Sequence, residues 1–203
     1  METKYIALLI IMILTLNRLR IVRQSDAYRN KQKGDTSKQC KNSILFIFYI
    51  LGTGIVLGSV FENLFLVKKL NLFLSSLGLV AYVIGIICRN KAVKTLGEYW
   101  STHIEIKKGQ RIVQDGPYKY IRHPGYLSLI IESLSIPLIL NAYYTLIGVI
   151  LIYIPIILLT AKLEDRKMEE KIGKEFTSYK RMTGAFIPKI IFNCTITYLK
   201  RKN

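Results

Sequence analysis

The sequence predicts an all-α fold, a polytopic membrane bundle of about five transmembrane helices. Two observations predict it: 51% of the 203 residues are hydrophobic, yet Lys and Arg number 30 against 13 Asp and Glu, which gives a formal net charge of +17. The mean hydropathy is nevertheless +0.29, so charged and apolar residues must occupy separate segments. A disordered chain would be poor in apolar residues, and this length leaves room for one membrane domain, residues 1–203.

Five apolar segments are candidates for the spans, because a bilayer core of about 30 Å requires roughly 20 mostly apolar residues per helix. The first is short and the second contains closely spaced glycines, which allow another helix to approach. Asn141 and Ala142 leave room only for a tight hairpin between the last two. In chain order, the segments are residues 5–16, 44–67, 70–88, 124–140 and 143–161.

The distribution of basic residues predicts the orientation of the bundle. With five spans, 27 of the 30 Lys and Arg residues fall into three regions on the same side of the bilayer. Cytoplasmic loops carry the excess of such residues, so we expect a multi-pass protein of the cell membrane with its N-terminus outside and its C-terminus in the cytoplasm. The basic regions are residues 17–43, 89–124 and 162–203.

The same charges indicate which partners to expect. They border membrane spans rather than belonging to a soluble module, so no nucleic acid partner is expected, and anionic lipid headgroups are the expected counter-charge. No metal site is expected, because Cys40, Cys88 and Cys194 are separated from one another and from the only two histidines, His103 and His123.

The junction into the fourth span, residues 115–126, is the first segment with the chemistry of a binding site. It begins with a Gly-Pro turn, and Pro124 lies where the helix should start, a position at which its missing N–H costs nothing. The free N–H groups of that first turn, with Arg122 and His123 beside them, predict an anion site. Such a site would suit the carboxylate of a cofactor that carries an amino acid.

Glu132 is the second candidate, because an ionisable group inside a span is costly and is by default a functional hypothesis. It lies about two turns into the fourth span, on the same helix face as Gly125 and Ser128. The alternative is a carboxyl group paired structurally with a basic loop residue. Glu62, near the outer end of the second span, is interpreted as an interfacial carboxylate.

A third segment, residues 164–179, is highly charged and follows the fifth span. Opposite charges three and four residues apart support a helix there, and on its own the segment indicates a solvated extension. Residues 186–192 become apolar again and are able to fold back on the membrane.

At these residues the chain resembles the isoprenylcysteine carboxyl methyltransferase family of integral membrane methyltransferases, over roughly residues 89–189. The matching residues are Leu96, Gly97, Trp100, Gly116, Pro117, Tyr118, Arg122, His123, Pro124, Tyr126, Glu132, Glu164, Asp165, Gly173, Tyr179 and Pro188. Two positions depart from the family pattern, which usually has a second glutamate at Asp165 and a tyrosine at Phe176.

The resemblance implies S-adenosylmethionine as the cofactor, in a cytoplasmic pocket closed by a C-terminal helical segment, with no metal. Three N-terminal spans and a basic loop, residues 1–88, would precede a catalytic region, residues 89–203. Catalytic roles would fall to Glu132, His123 and Arg122. The implied cofactor-binding residues are Tyr118, Arg122, His123, Pro124 and Tyr126, with Glu164 and Asp165 on the opposite wall.

The acceptor implied by the resemblance is a lipid or a lipidated molecule, and two classes remain open. A prenylcysteine carboxylate, with a pKa of about 3.3–3.7, is already ionised and needs only positioning. A long-chain phenolic or pyrone lipid hydroxyl, with a pKa of about 10 or higher, must lose a proton to Glu132 or His123. The alternatives to this enzyme are a phospholipid N-methyltransferase, an NADPH-dependent membrane reductase of related fold, and a small membrane scaffold or transporter.

Overall fold

The computed structural model describes residues 43–99 and 112–189. The first predicted span, residues 5–16, and the basic region that follows it lie outside the described residues, as do Trp100 and His103. Within the described ranges the chain is helical and contains no β-strand.

Five α-helices account for most of the described residues. Three of them are long and apolar enough to cross a membrane, and a fourth, of 17 residues, is a shorter apolar helix. The predicted spans from the second to the fifth therefore all correspond to helices. The helices are α1 (Ser43–Phe65), α2 (Leu72–Leu96), α3 (Pro124–Leu140), α4 (Tyr143–Ile172) and α5 (Lys174–Met182).

The third predicted span, residues 70–88, was expected to end before Arg89, whereas α2 continues to Leu96. A span predicted from consecutive apolar residues ends at the first charged residue, here Arg89. The helix continues because Arg89 is buried and forms an ion pair within the bundle. The last predicted span, residues 143–161, likewise continues as helix into the charged segment.

Helices α2 and α3 are antiparallel and approach each other closely along two glycines. A Cβ atom on Gly78 would lie 2.8 Å from the backbone nitrogen of Ile139, and one on Gly85 would lie 2.8 Å from Cγ of Glu132. Small residues at such crossings let helices pack where a larger side chain would separate them. The glycines of α1 contribute less, since Gly54 faces open space.

The hairpin between α3 and α4 is as short as predicted. Asn141 adopts a left-handed conformation with φ of 57°, and the Ala142 N–H donates to the carbonyl of Pro137 at 2.8 Å. Helix α4 then includes one wide π-helical turn, Val149–Tyr153. Pro155 lies two residues after the end of this turn, and because proline lacks the N–H of a regular helix, such irregular turns accommodate it.

The end of the bundle at which α3 and α4 are joined, here called the hairpin end, is held by buried polar groups. The Glu62 carboxylate accepts hydrogen bonds from the N–H groups of Tyr144 and Thr145, at 3.0 and 2.9 Å, and from the Thr145 hydroxyl at 3.0 Å. It thereby caps the first turn of α4, where free N–H groups favour a negative charge. Glu62 is thus a buried cap rather than an interfacial carboxylate.

Amide side chains complete the hairpin end. Asn63 donates to the carbonyl of Leu140 at 2.7 Å. Asn141 accepts from the Asn71 N–H at 2.7 Å and donates to the Ser75 hydroxyl at 2.8 Å. These bonds join α1, the start of α2 and the α3–α4 turn.

The core between the helices is small and the outer surface is apolar. Ile55, Tyr82, Ile136 and Ile157 are buried at the centre of the bundle, while many large apolar side chains face outward. Among the exposed ones are Phe65, Phe73 and Leu151, at 71%, 77% and 68% exposure. Apolar helices with such a surface are typical of a protein surrounded by lipid, and the chain is a multi-pass membrane protein.

Candidate active site

The other end of the α3–α4 hairpin, here called the motif end, comprises residues 112–126 and 162–189. It opens with a single 3₁₀ turn, Gly116–Lys119, packed against the end of α2. Gly116 has φ of +53°, and a Cβ atom there would lie 2.8 Å from Thr95 Oγ1. The glycine therefore allows the turn to fold directly onto α2.

Helix α5 and the residues after it fold back over this turn. The buried Tyr179 hydroxyl donates to the Tyr118 carbonyl at 2.6 Å. The N–H groups of Arg122 and His123 donate to the carbonyls of Gly184 and Ala185, at 2.9 and 3.0 Å. The return of the chain toward the membrane was predicted for residues 186–192: Phe186 lies against the His123 ring, and residues 190–192 lie outside the described residues.

Asp165 lies at the centre of the motif end and binds two of the predicted site residues. Its Oδ1 lies 2.9 Å from His123 Nε2, and its Oδ2 lies 3.0 Å from Arg122 Nη2. A carboxylate only accepts hydrogen bonds, so His123 carries a proton on Nε2. Burial opposes ionisation of Asp165, but hydrogen bonds and charge from His123 and Arg122 hold the pKa of this carboxyl, in the polar extension of α4, below its usual value.

Arg122 is fully engaged by the protein. Besides Asp165, its Nη1 group donates to the carbonyls of Lys180 and Thr183, at the end of α5. A cation is stabilising there because the last carbonyls of a helix lack partners within it. The geometry makes Arg122 a clamp between α3, α4 and α5, and its contact with a cofactor stays a prediction.

Pro124 is the first residue of α3, as the sequence predicts, and His123 occupies the N-cap position without a capping hydrogen bond from its side chain. Tyr126, in the same turn, lies close enough to Glu164 for the charge of that carboxylate to act on its phenol. Burial, and then the charge of Glu164, raise the pKa of Tyr118. Among the described residues, Glu164 has no ion-pair partner, in contrast to its neighbour Asp165.

Glu132 lies deeper in the bundle than the other predicted site residues. It is eight residues after Pro124, about 12 Å along the helix axis. Its Oε1 is 2.9 Å from Arg89 Nε, and both side chains are about nine-tenths buried, with 10% of Arg89 and 9% of Glu132 exposed. The alternative interpretation of Glu132, a carboxyl group paired structurally with a basic residue, thus has a specific partner, Arg89 on α2.

The structure therefore brings seven of the predicted residues to one end of the hairpin and places Glu132 two turns away. Sequence reasoning missed Arg89, which was counted only as a loop charge, although its position at the end of an apolar run indicated a residue near the bilayer. It also missed the carbonyls of Thr183, Gly184 and Ala185, because main-chain groups leave no signal in side-chain types. The seven residues are Tyr118, Arg122, His123, Pro124, Tyr126, Glu164 and Asp165.

Comparison with known proteins agrees with the motif. Residues 77–170 match the model of the isoprenylcysteine carboxyl methyltransferase (ICMT) family. Over these residues, somewhat less than half of the chain, the protein is similar to this family. The resemblance seen in the sequence is confirmed, and the matched range contains α3, Glu132 and the α3–α4 hairpin.

The curated relatives match over about half of the chain. An uncharacterized protein of Bacillus subtilis, YpbQ, is 35% identical over 95 residues, 46% of this chain and 56% of the relative. An uncharacterized protein of Haemophilus influenzae is 30% identical over 101 residues, 49% of this chain and 59% of the relative. The protein-S-isoprenylcysteine O-methyltransferase B of Arabidopsis thaliana is 22% identical over 122 residues, 59% of this chain and 62% of the relative.

The chain thus spans less than two thirds of the length of these relatives. A solved structure of the eukaryotic intramembrane Ras methyltransferase ICMT superposes with a TM-score of 0.61 and 21% identity, covering 80% of this chain and 58% of that protein. At this identity the match shows the fold. It confirms the predicted fold class, an all-α membrane helix bundle.

Proposed function

We propose that this protein is an integral membrane methyltransferase of the ICMT family, which transfers the methyl group of S-adenosylmethionine to a lipophilic acceptor. The observation that carries the proposal is the Glu164 carboxylate. It faces Tyr118 and Tyr126 at the motif end and has no ion-pair partner among the described residues.

The residues of the motif end fit this cofactor. S-adenosylmethionine carries a positive sulfonium and ammonium, ribose hydroxyls and one carboxylate. The Glu164 carboxylate and the phenols of Tyr118 and Tyr126 suit the positive charge and the hydroxyls. The N–H groups in the first turn of α3, after Pro124, suit the carboxylate.

The Arg122–Asp165–His123 cluster would act indirectly. It fixes α5 and residues 183–185 against the motif, so it would close the site and keep water away. Bound S-adenosylmethionine would supply a methyl group that passes to the acceptor oxygen as its carbon–sulfur bond breaks, with the electron pair left on sulfur. Alignment and exclusion of water are the main tasks of the protein in such a displacement.

We place the motif end at the cytoplasmic surface of the cell membrane, where a water-soluble cofactor and a membrane lipid are both within reach. Two features support this orientation. The basic residues of the motif end match the usual excess on the cytoplasmic side, and anionic headgroups would neutralise them.

Two acceptor classes fit the site. A prenylcysteine-type carboxylate needs no base, whereas the hydroxyl of a phenolic or pyrone lipid gives up its proton as the bond to carbon forms. That proton would pass to Glu132, or to the Nδ1 atom of His123, because Nε2 of His123 already donates to Asp165.

Calorimetry of the purified protein with S-adenosylmethionine tests the proposal. Replacing Glu164→Gln should raise the Kd about tenfold or more, because a hydrogen-bonded charge is lost. Glu170→Gln is the matched control, since Glu170 is an exposed carboxylate on the same helix, and it should leave the Kd unchanged. A wild-type protein that does not bind S-adenosylmethionine, or an unaltered Kd in Glu164→Gln, contradicts the proposal.

A further inference from the structure

The buried residues of α4 follow a spacing that a regular helix does not match. Five of them are almost completely buried, and each lies four positions after the one before: Val149, Tyr153, Ile157, Ala161 and Asp165. A regular helix turns by about 100° per residue, so each step of four adds about 40° and four steps add about 160°. The last of these residues would then lie almost opposite the first. The π-helical turn contains one extra residue and removes about 100° of this rotation.

Relaxing the π turn would move the whole later part of α4 by one residue. In the structure, the Ile154 N–H donates to the carbonyl of Val149, five residues earlier, whereas a regular helix bonds four residues back. If the turn became regular, every later residue would move into the place that the next residue now occupies, a rotation of about 100° with a shift of about 1.5 Å. This defines two registers of α4: the π register, which the structure has, and the regular register.

The sequence of α4 suits both registers. In the regular register each buried place after the π turn would pass to a residue of the same kind, apolar for apolar, small for small and carboxylate for carboxylate. The pairs, with the present occupant first, are Ile157 and Ile156, Ala161 and Thr160, and Asp165 and Glu164. Arg122 and His123 would therefore still meet a carboxylate. The candidate cofactor site would lose its own, because Leu163 would take the place of Glu164 beside the two tyrosines.

We propose that α4 switches between these two registers, and that S-adenosylmethionine selects the π register by binding Glu164. The inference rests on the proposed function and adds a control on the same site. In the π register Asp165 serves Arg122 and His123, and Glu164 is left for the cofactor. In the regular register Glu164 would serve Arg122 and His123, and the site would be closed to the cofactor. A ligand shifts such an equilibrium by the difference between its affinities for the two states.

Each register carries an unfavourable feature, which keeps the two close in free energy. In the π register the buried Tyr153 hydroxyl has no hydrogen-bond partner among the described residues, and a buried donor without an acceptor is unfavourable. In the regular register the ring of Pro155 would clash with the carbonyl of Leu151, four residues earlier. The proline therefore favours the π register and holds it in the absence of a ligand.

The surroundings of α4 allow the movement. Its first turn is fixed by Glu62 at the hairpin end, but its last turn meets α5 at Gly173, which has φ of 71° and open space around its Cβ position. This joint lets the polar end of α4 rotate while α5 stays on the motif. The pair of Glu169 and Lys180 would be lost, but it is half-exposed, and such pairs contribute little.

Pro155→Ala tests the switch, because it removes the clash that opposes the regular register. Spin labels at Lys91 on α2 and Arg166 on the polar end of α4, two exposed positions, report the rotation, since a turn of about 100° moves a surface residue by up to roughly 8 Å. In the full-length protein with its native cysteines replaced, Pro155→Ala should add a second distance between the labels. S-adenosylmethionine should shift the molecules back to the wild-type distance. Leu159→Ala, a lipid-facing change on the same helix, should show the wild-type distance alone.

Calorimetry with S-adenosylmethionine gives a second measurement. Pro155→Ala should raise the Kd about tenfold or more, and the factor should equal the inverse of the fraction of molecules left in the π register. Deleting Ile152, an exposed residue of the π turn, from the Pro155→Ala variant should then restore the Kd, because the shortened turn is regular and returns Glu164 to its present place. A purely structural role of Pro155 predicts the opposite, since a deletion inside a helix would add to the damage.

Three results would overturn the switch: the wild-type distance alone in Pro155→Ala, a raised Kd without a matching second distance, or a folded deletion variant that binds no better than Pro155→Ala. If the deletion variant does not fold, the distances and the Kd of Pro155→Ala decide the matter by themselves. Failure of the proposed function would look different. A wild-type protein with no affinity for S-adenosylmethionine would refute methyl transfer, whereas a second distance in Pro155→Ala would still establish the two registers.

Discussion

The two ends of the α3–α4 hairpin both bury polar side chains, but they differ in how completely the charged groups are satisfied. At the hairpin end, Glu62 accepts three hydrogen bonds from the protein, and Asn63 and Asn141 also have protein partners. At the motif end, Asp165 is equally well bound, yet Glu164 has no ion-pair partner among the described residues. Deeper in the bundle, Nη2 of Arg89 has no hydrogen-bond partner among the described residues.

This difference shows how to recognise a functional polar group inside a membrane bundle. Burial alone does not separate the two ends, because a cap such as Glu62 is as buried as Glu132, with 5% and 6% exposure. The remaining hydrogen-bonding and charge capacity separates Glu62 from Glu164 and Arg89, but a buried hydroxyl alone does not mark a site, since Ser59 Oγ near the hairpin end also has no described partner. A group satisfied by its own chain stabilises the fold, whereas a group with capacity left is available to a ligand.

The largest expected effect concerns Glu132. Its carboxylate is paired within the protein, but the partner, Arg89, has a donor that no described group accepts. Glu132→Gln should lower methylation of a long-chain phenol by about 10²–10⁴-fold, because the group that takes the proton is lost. Methylation of a prenylcysteine carboxylate should continue. Assays with radiolabelled S-adenosylmethionine and both acceptors measure this, and loss of carboxylate methylation alone would refute the base assignment.

Asp165 should give the largest effect on stability. Asp165→Ala would leave Arg122 and His123 without their carboxylate, and breaking a buried pair typically costs about 3–5 kcal/mol. Denaturant unfolding in detergent should show this loss, and limited proteolysis should cut near α5 more rapidly.

The matched control for Asp165 is the half-exposed pair of Glu169 and Lys180, at 3.0 Å with 35% and 37% side-chain exposure. Exposed pairs contribute about 0–1 kcal/mol, so Glu169→Ala should change little. Equal losses in the two variants would mean that Asp165 does not hold the clamp.

Glu62 provides a test from the hairpin end. Glu62→Ala removes the cap of α4 and should cost about 1.5–3 kcal/mol, the usual value for hydrogen bonds to a charged group. The Kd for S-adenosylmethionine should not change, because every partner of this carboxylate lies at the far end of the hairpin. A Glu62→Ala variant that folds normally but binds the cofactor poorly would contradict the view that the hairpin end serves stability alone.

How much of the fold could be predicted from the sequence depends on how far apart in the chain the interacting residues lie. The start of α3 at Pro124 and the turn at Asn141 follow from local backbone preferences, and the sequence predicts both. Apolar runs predict the spans, but the continuation of α2 past Arg89 depends on Glu132, which lies 43 positions further along the chain. A pattern within a short stretch of sequence cannot identify that partner.

In the candidate site, too, the residues could be predicted from the sequence but the contacts between them could not. Residue types and the family resemblance select Arg122, His123 and Asp165 as a group. They do not predict that Asp165 binds both of the other two, since that depends on how the polar end of α4 lies relative to the start of α3. The clamp is therefore a property of the fold, whereas Glu164, one residue earlier on the same helix, faces Tyr118 and Tyr126 instead.

The smallest expected effect is the pH dependence of the clamp. The contacts with His123 and Arg122 lower the pKa of Asp165 despite its burial, so its contribution to stability is fully present above the unfolded-state pKa of about 3.9 and is lost as the pH falls through the lower folded-state value. The difference in unfolding free energy between wild type and Asp165→Asn should thus be constant above about pH 5 and should shrink below about pH 4. Glu62→Gln, analysed in the same way, gives the reference for a carboxylate bound only by uncharged donors. A difference for Asp165→Asn that stays constant down to the lowest pH would show that ionisation of this carboxyl does not hold α5 against the motif, and hydrogen bonding alone would then account for the clamp.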